Sequence, residues 1–209
     1  MLNHTTKTIR RSILAAGILA FTSASHAALV IQFNQVGANV VETGSGSANT
    51  AGLGAPSGVL GSGLTDPSSG LAFVGPTGVN APLFLYPSGI SGPASIGAGV
   101  YTAGSSGSGD TFGINGNFHA LYVPFAYVSG SALNGTTTFN GQTFASLGLN
   151  IGTFTYTWGS GANADSATVY VGVAPAGAAV PEPGSAIAGL LALGVCFSGL
   201  VKRNRTAKA

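Results

Sequence analysis

Thr153-Phe154-Thr155-Tyr156-Thr157-Trp158 and, across the loop 159–165, Ser166-Ala167-Thr168-Val169-Tyr170-Val171-Gly172-Val173 are the residues that decide the fold. Thr153, Thr155 and Thr157 alternate with Phe154, Tyr156 and Trp158, and Ala167, Val169, Val171 and Val173 alternate with Thr168 and Tyr170. Successive side chains of a strand point to opposite faces, so each segment has one apolar face and one polar face. A helix would wind the same residues around its axis and segregate nothing. The spacing predicts an antiparallel pair, with the aromatics and valines turned to a core and the threonines to water.

Upstream the pattern continues in shorter pieces. Thr136–Phe144 reads as a hairpin, because Asn140-Gly141 tolerates the positive φ values of a type I′ turn. Phe118–Val123 alternates, with Phe118, Ala120 and Tyr122 on one face and His119, Leu121 and Val123 on the other; after Pro124 comes a short strand, Ala126–Ser129. Leu83–Tyr86 lies between Pro82 and Pro87 and is expected at a sheet edge, where a missing N–H costs no ladder bond. Leu29–Phe33 and Asn39–Thr43 open the body as two strands, and Gly97–Tyr101 is a weaker one. Gly44–Gly70 is Gly/Ser-rich, has only Leu53, Val59, Leu60 and Leu64 to bury, and stays open between irregular strands and long loops. No apolar stripe of helical period runs for a useful length. The body therefore reads as all-β. It is expected to be a single antiparallel β-sandwich over residues 28–173, with a jelly-roll-like winding one of the arrangements allowed, followed by a Pro/Ala/Gly linker at 174–179.

Charge is scarce and confined. Charged residues make up 6% of the 209-residue chain, against roughly 25% in ordinary globular domains. All 7 Lys and Arg lie at Lys7, Arg10, Arg11, Lys202, Arg203, Arg205 and Lys208, so the formal charge of +2 belongs to the two ends. The body carries only Glu42, Asp66, Asp110 and Asp165. Without Lys or Arg it has nothing to neutralise phosphates, which argues against nucleic acid as a partner and against phosphoryl chemistry.

Both ends look like delivery segments. Lys7, Arg10 and Arg11, the apolar run Ile13–Phe21 and the small-x-small site Ser25-His26-Ala27 compose a signal peptide over 1–27, cut between Ala27 and Ala28. Its apolar run is too short to span a bilayer. The expected route is the Sec translocon and signal peptidase. The one cysteine, Cys196, lies in the tail, so the body has no disulfide and no catalytic thiol. At the other end Val180-Pro181-Glu182-Pro183 precedes an apolar run, 184–201, and a basic stop, 202–209, with Lys202, Arg203 and Arg205. The prolines keep the tetrad out of a helix interior. As a transmembrane helix the run would rise about 27 Å, close to the hydrocarbon thickness of a bilayer, with the basic cluster at the cytoplasmic end.

This tail, residues 180–209, resembles the PEP-CTERM sorting signal of exopolysaccharide-producing Gram-negative bacteria. The resemblance implies an inner-membrane-anchored precursor, an exosortase-type membrane protease that cuts near the tetrad, and delivery of the body to the cell surface or extracellular matrix. The tail family is also labelled an ice-binding protein C-terminal domain; that label describes the company the tail keeps in some proteins and is no sign of ice binding here. Leu121–Val173 is similar to an exported β domain often joined to such tails, a likeness that carries no known activity.

Catalysis finds little to work with. His119 is the one histidine left after signal removal, and beside Phe118 it reads as a structural or exposed sheet residue. No Gly-x-Ser-x-Gly precedes a helix, and Gly44-Ser45-Gly46-Ser47 and Gly104-Ser105-Ser106-Gly107-Ser108-Gly109 read as flexible loops. Paired carboxylates for glycoside hydrolysis would have to converge from scattered acids. Asn163-x-Asp165 and Gly109-Asp110 sit in loops of a kind that can hold Ca²⁺, but turn chemistry accounts for them as well. We therefore expect no catalytic residue, no resident metal and no cofactor. The expected function is non-enzymatic, structural or adhesive, in the cell envelope or an exopolysaccharide biofilm matrix. The alternative is a carbohydrate-binding module, and behind it a hydrolase. For the module, Tyr86, Tyr101, Tyr122, Tyr127, Tyr156, Tyr170 and Trp158 supply aromatic faces. Alternation turns Tyr156 and Trp158 inward, leaving Tyr101, Tyr127 and Tyr170 as the surface contacts for an exopolysaccharide partner.

Overall fold

Short strands build the body, which we describe for residues 28–175 from a computed structural model. The signal peptide with Ala27, the linker beyond residue 175, the tetrad Val180-Pro181-Glu182-Pro183, the apolar run and the basic stop lie outside the described residues; Ala28 is the first inside. The strands are β1 Leu29–Val36, β2 Asn39–Ser47, β3 Ser57–Gly61, β4 Leu64–Asp66, β5 Leu71–Val74, β6 Ala81–Tyr86, β7 Ile90–Ser91, β8 Thr102–Ala103, β9 Ser106–Gly109, β10 Phe112–Asn115, β11 Ala120–Pro124, β12 Ala132–Phe139, β13 Gly152–Trp158 and β14 Asp165–Val171. Among the described residues there is no α-helix, only 3₁₀ turns at Thr50–Gly52, Pro67–Ser69 and Gly161–Asn163. No helix among them is long and apolar enough to cross a membrane.

The strands form two curled 7-stranded sheets, the first in the order β7-β13-β14-β1-β2-β12-β9 and the second in the order β3-β6-β11-β10-β5-β4-β8. The alternation in β13 and β14 is realised as expected: they pair antiparallel, with Phe154 opposite Val169 and Tyr156 opposite Ala167. Tyr156, Trp158, Ala167, Val169 and Val171 are buried, whereas Thr153, Thr155 and Thr157 are exposed.

Several expectations are corrected. The first sheet is not purely antiparallel, because β1 runs parallel to β14 from Leu29 beside Ala167 to Phe33 beside Val171. The first and last described strands meet in mid-sheet, and the Gly172 N–H extends their contact by donating to the Phe33 carbonyl at 3.0 Å. Thr136–Phe144 is not a hairpin. β12 ends at Phe139 after pairing with β2 and β9, and Asn140-Gly141 leads into a loop in which Thr143 and Ser146 bond each other. Eight register positions against β2 outweigh the local turn. Phe118 and His119 lie in the turn before β11, where the Asn115 side chain accepts from the Phe118 N–H at 3.0 Å and His119 takes φ 52°. Ala126–Ser129 is a turn as well, with Ala126 at φ 61°. β6 is not an edge strand but lies between β3 and β11; its prolines fall at or just beyond its ends, where they interrupt little of the ladder. Gly97–Tyr101 holds only an isolated bridge from Gly97 to Leu149. Gly44–Ser47 is no loop but the end of β2, and Ser106–Gly109 is β9.

One core fills the space between the sheets. Leu29, Ile31, Phe33 and Val40 of the first sheet meet Val74, Phe112, Ile114, Leu121 and Val123 of the second, all fully buried. Thr137 links the layers: its hydroxyl accepts from the Gly75 N–H at 3.0 Å and lies 3.1 Å from the Gly75 carbonyl. One core position breaks the pattern. Along β2 the inward side chains are Val40, Glu42 and Gly44, and Glu42 is 0% exposed. Its neighbours across the strands are Phe33 and Thr137, and neither carboxyl oxygen has a hydrogen-bond partner. Burial pushes its pKa well above the usual carboxylate range.

Candidate binding face

The outward residues of the first sheet line up across its strands. Strand registers place Thr153, Tyr170, Gln32, Thr43, Thr136 and Ser108 side by side in one transverse row. The next row holds Thr155, Thr168, Val30, Ser45 and Asn134. Threonine suits this position because its branched Cβ favours the strand and its hydroxyl faces water. Neither row contains a charged side chain. Ser108 Oγ and Thr136 Oγ1 bond each other at 3.1 Å, and the Gln32 amide donates to Asn34 Oδ1 at 3.0 Å. The hydroxyls of Thr43, Thr153, Thr155, Thr168 and Tyr170 bond no other described residue, which leaves each as both donor and acceptor.

The outer face of the second sheet is different in kind. There the transverse row runs Ser57, Leu85, Tyr122, Gly113, Phe73 and Leu64. The rings of Phe73 and Tyr122 meet at 4.6 Å across Gly113, where a Cβ would stand 2.9 Å from the Phe73 ring. Burial pushes the Tyr122 hydroxyl pKa up. Beside this pair an open pocket of about 340 Å³ is lined by Leu85, Pro87, Phe118, Ala120 and Tyr122.

Of the three surface tyrosines expected from sequence, the structure brings none together. Tyr101 is 60% exposed and precedes β8, at the edge of the second sheet. Tyr170 stands half-buried in the middle of the hydroxyl face. Tyr127 is an anchor: its hydroxyl accepts from the Ala48 N–H at 2.9 Å and donates to the Ser131 carbonyl at 2.6 Å. Tyr127→Phe leaves the buried Ala48 N–H unpaired and is expected to cost about 1–2 kcal/mol, which calorimetry reads as a fall in Tm of about 2–8 °C.

The three aspartates accept from backbone N–H and hydroxyl groups of the body itself. Asp165 accepts from the Asn49 N–H at 2.6 Å with one oxygen and from the Ser166 N–H at 2.7 Å with the other. Asp110 accepts from the Asn134 N–H, and Asp66 from the Ser68 and Ser69 hydroxyls. Trp158 donates its indole N–H to the Asn49 carbonyl at 2.8 Å, completing a packed corner around Asn49. Among the described residues no three His, Cys, Asp or Glu side chains gather as metal ligands would. Each threonine of β13 is legible from sequence as outward-facing. The rows are not, because they depend on β1 joining β14, a contact between the two ends of the body. No family model, curated protein or solved structure matches the chain.

Proposed function

We propose that this chain is an exported, non-enzymatic component of the cell envelope or extracellular matrix, delivered by its C-terminal tail, with a β-sandwich as cargo. Support comes from the charge distribution: every Lys and Arg lies in the terminal segments, and the stretch between them is nearly uncharged. Cationic flanks at both ends favour a precursor whose middle is translocated. A structural or adhesive role suits a body whose carboxylates are buried or bonded to its own backbone and hydroxyl groups. A carbohydrate-binding module is the second reading, favoured by the uncharged hydroxyl face of the first sheet.

Fractionation of the native host with intact-mass analysis tests the delivery. The expected result is a body without residues 1–27 and without the basic stop, found outside the inner membrane. Glu182→Gln or Pro183→Ala should instead accumulate in the membrane at full tail length. A mature chain stably embedded with Lys202–Ala209 attached would reduce the tail to a plain anchor and sink the reading.

A further inference from the structure

We propose that the outer face of the first sheet, centred on Tyr170, binds a neutral polysaccharide, a chain of sugar rings bearing no carboxylate or sulfate. The proposal deepens the matrix reading, on which it rests for the presence of such a polymer. Solvated protein surfaces ordinarily carry about 25–35% charged residues. The two central rows of this face carry none. With no Lys or Arg anywhere in the body, a polyanion finds no counter-charge. The face also lacks the contiguous apolar surface that a bilayer or a hydrophobic protein partner would need.

What it offers is the unengaged hydroxyls of Thr43, Thr153, Thr155, Thr168 and Tyr170, each able to donate and to accept as sugar hydroxyls require. The Tyr170 row crosses six strands, which at about 4.8 Å per strand gives a span of about 24 Å for an extended glycan. Tyr170 supplies an aromatic ring between Thr153 and Gln32, with its own hydroxyl free. Single contacts of this kind are weak, but a repeating polymer meeting a repeating row gains from many at once.

Native affinity electrophoresis of the full-length chain in detergent tests the face, with dextran, laminarin or galactomannan in the gel and alginate as the polyanionic control. At least one neutral polymer should retard the chain and alginate should not. Tyr170→Ala is expected to weaken retardation about tenfold. The exposed pair Thr153→Ala/Thr155→Ala should weaken it by about threefold to tenfold, and it guards against a folding defect at Tyr170 in the central strand β14. Retardation by none of the neutral polymers, equal retardation by alginate, or unchanged binding in the threonine pair overturns the proposal. So does a sedimenting dimer that the threonine pair dissolves, since that assigns the face to a second copy. A chain that binds no glycan yet is recovered without its tail outside the inner membrane loses the ligand and keeps the delivery reading.

Discussion

Glu42→Leu is expected to raise the stability of the folded body at neutral pH by at least about 1–3 kcal/mol and to abolish the pH dependence expected of the native chain. The carboxyl is fully buried on the core face of β2, and its oxygens have no partner. Its cross-strand neighbour Thr137 has already committed its hydroxyl to Gly75, the residue that follows β5. The body has no Lys or Arg to pair with it. Burial with no partner therefore disfavours the carboxylate and holds the folded pKa well above the unfolded one.

That direction fixes the sign. Below about pH 4.3 both folded and unfolded chains hold the proton, and Glu42 does not tilt the balance. Above that value the unfolded chain releases its proton while the folded chain keeps it. Each further pH unit then costs about 1.4 kcal/mol until the folded carboxyl itself ionises. Denaturant midpoints measured from pH 5 to pH 8 should fall for the native chain and stay level for Glu42→Leu. Glu42→Gln should also stay level, but with a smaller gain, because a buried amide is left without partners. A native midpoint that holds or rises over this interval would contradict the buried, unpaired carboxyl.

What sequence makes legible here is alternation, and only where the two faces of a strand differ chemically. β13 and β14 set aromatics and valines against threonines, and β1 sets Leu29, Ile31 and Phe33 against Val30, Gln32 and Asn34, so these strands emerge without a structure. Alternation gives no partner, which is why the parallel meeting of β1 with β14 and the hydroxyl rows built on it stay hidden. It also runs past the end of a strand. Phe118 and His119 fit the period of β11, but the Asn115 side chain captures the Phe118 N–H and turns the chain there. Glu42 is hidden for the opposite reason: its position is an inward one, and a carboxylate in a charge-poor β segment reads as surface. The Gly/Ser stretches mislead most, because their role is to lack side chains.

Gly44 shows that role, and Gly44→Ala is expected to destabilise the body by about 1–3 kcal/mol. One core-facing row of the first sheet runs Ile31, Gly44 and Gly135, so two adjoining strands, β2 and β12, present bare backbone to the second sheet. Phe112 and Val74 occupy that space. A Cβ on Gly44 would stand 2.6 Å from the Phe112 ring and 2.7 Å from a Val74 methyl. Both side chains are fully buried and cannot swing into solvent. Removing the ring is worse: Phe112→Ala opens a cavity and should cost about 3–5 kcal/mol. The two positions are therefore coupled through one volume. In a Phe112→Leu background the added methyl has room, so the double variant should be more stable than the sum of the single losses predicts, by more than about 0.5 kcal/mol. Strict additivity in that cycle, read from denaturant unfolding, would mean that the sheets relax apart freely at this row and that glycine is not what lets them close. A positive coupling instead identifies the Gly-Ser-Gly-Ser stretch as the seat of an aromatic ring, which is why it folds as a strand in the middle of a sheet.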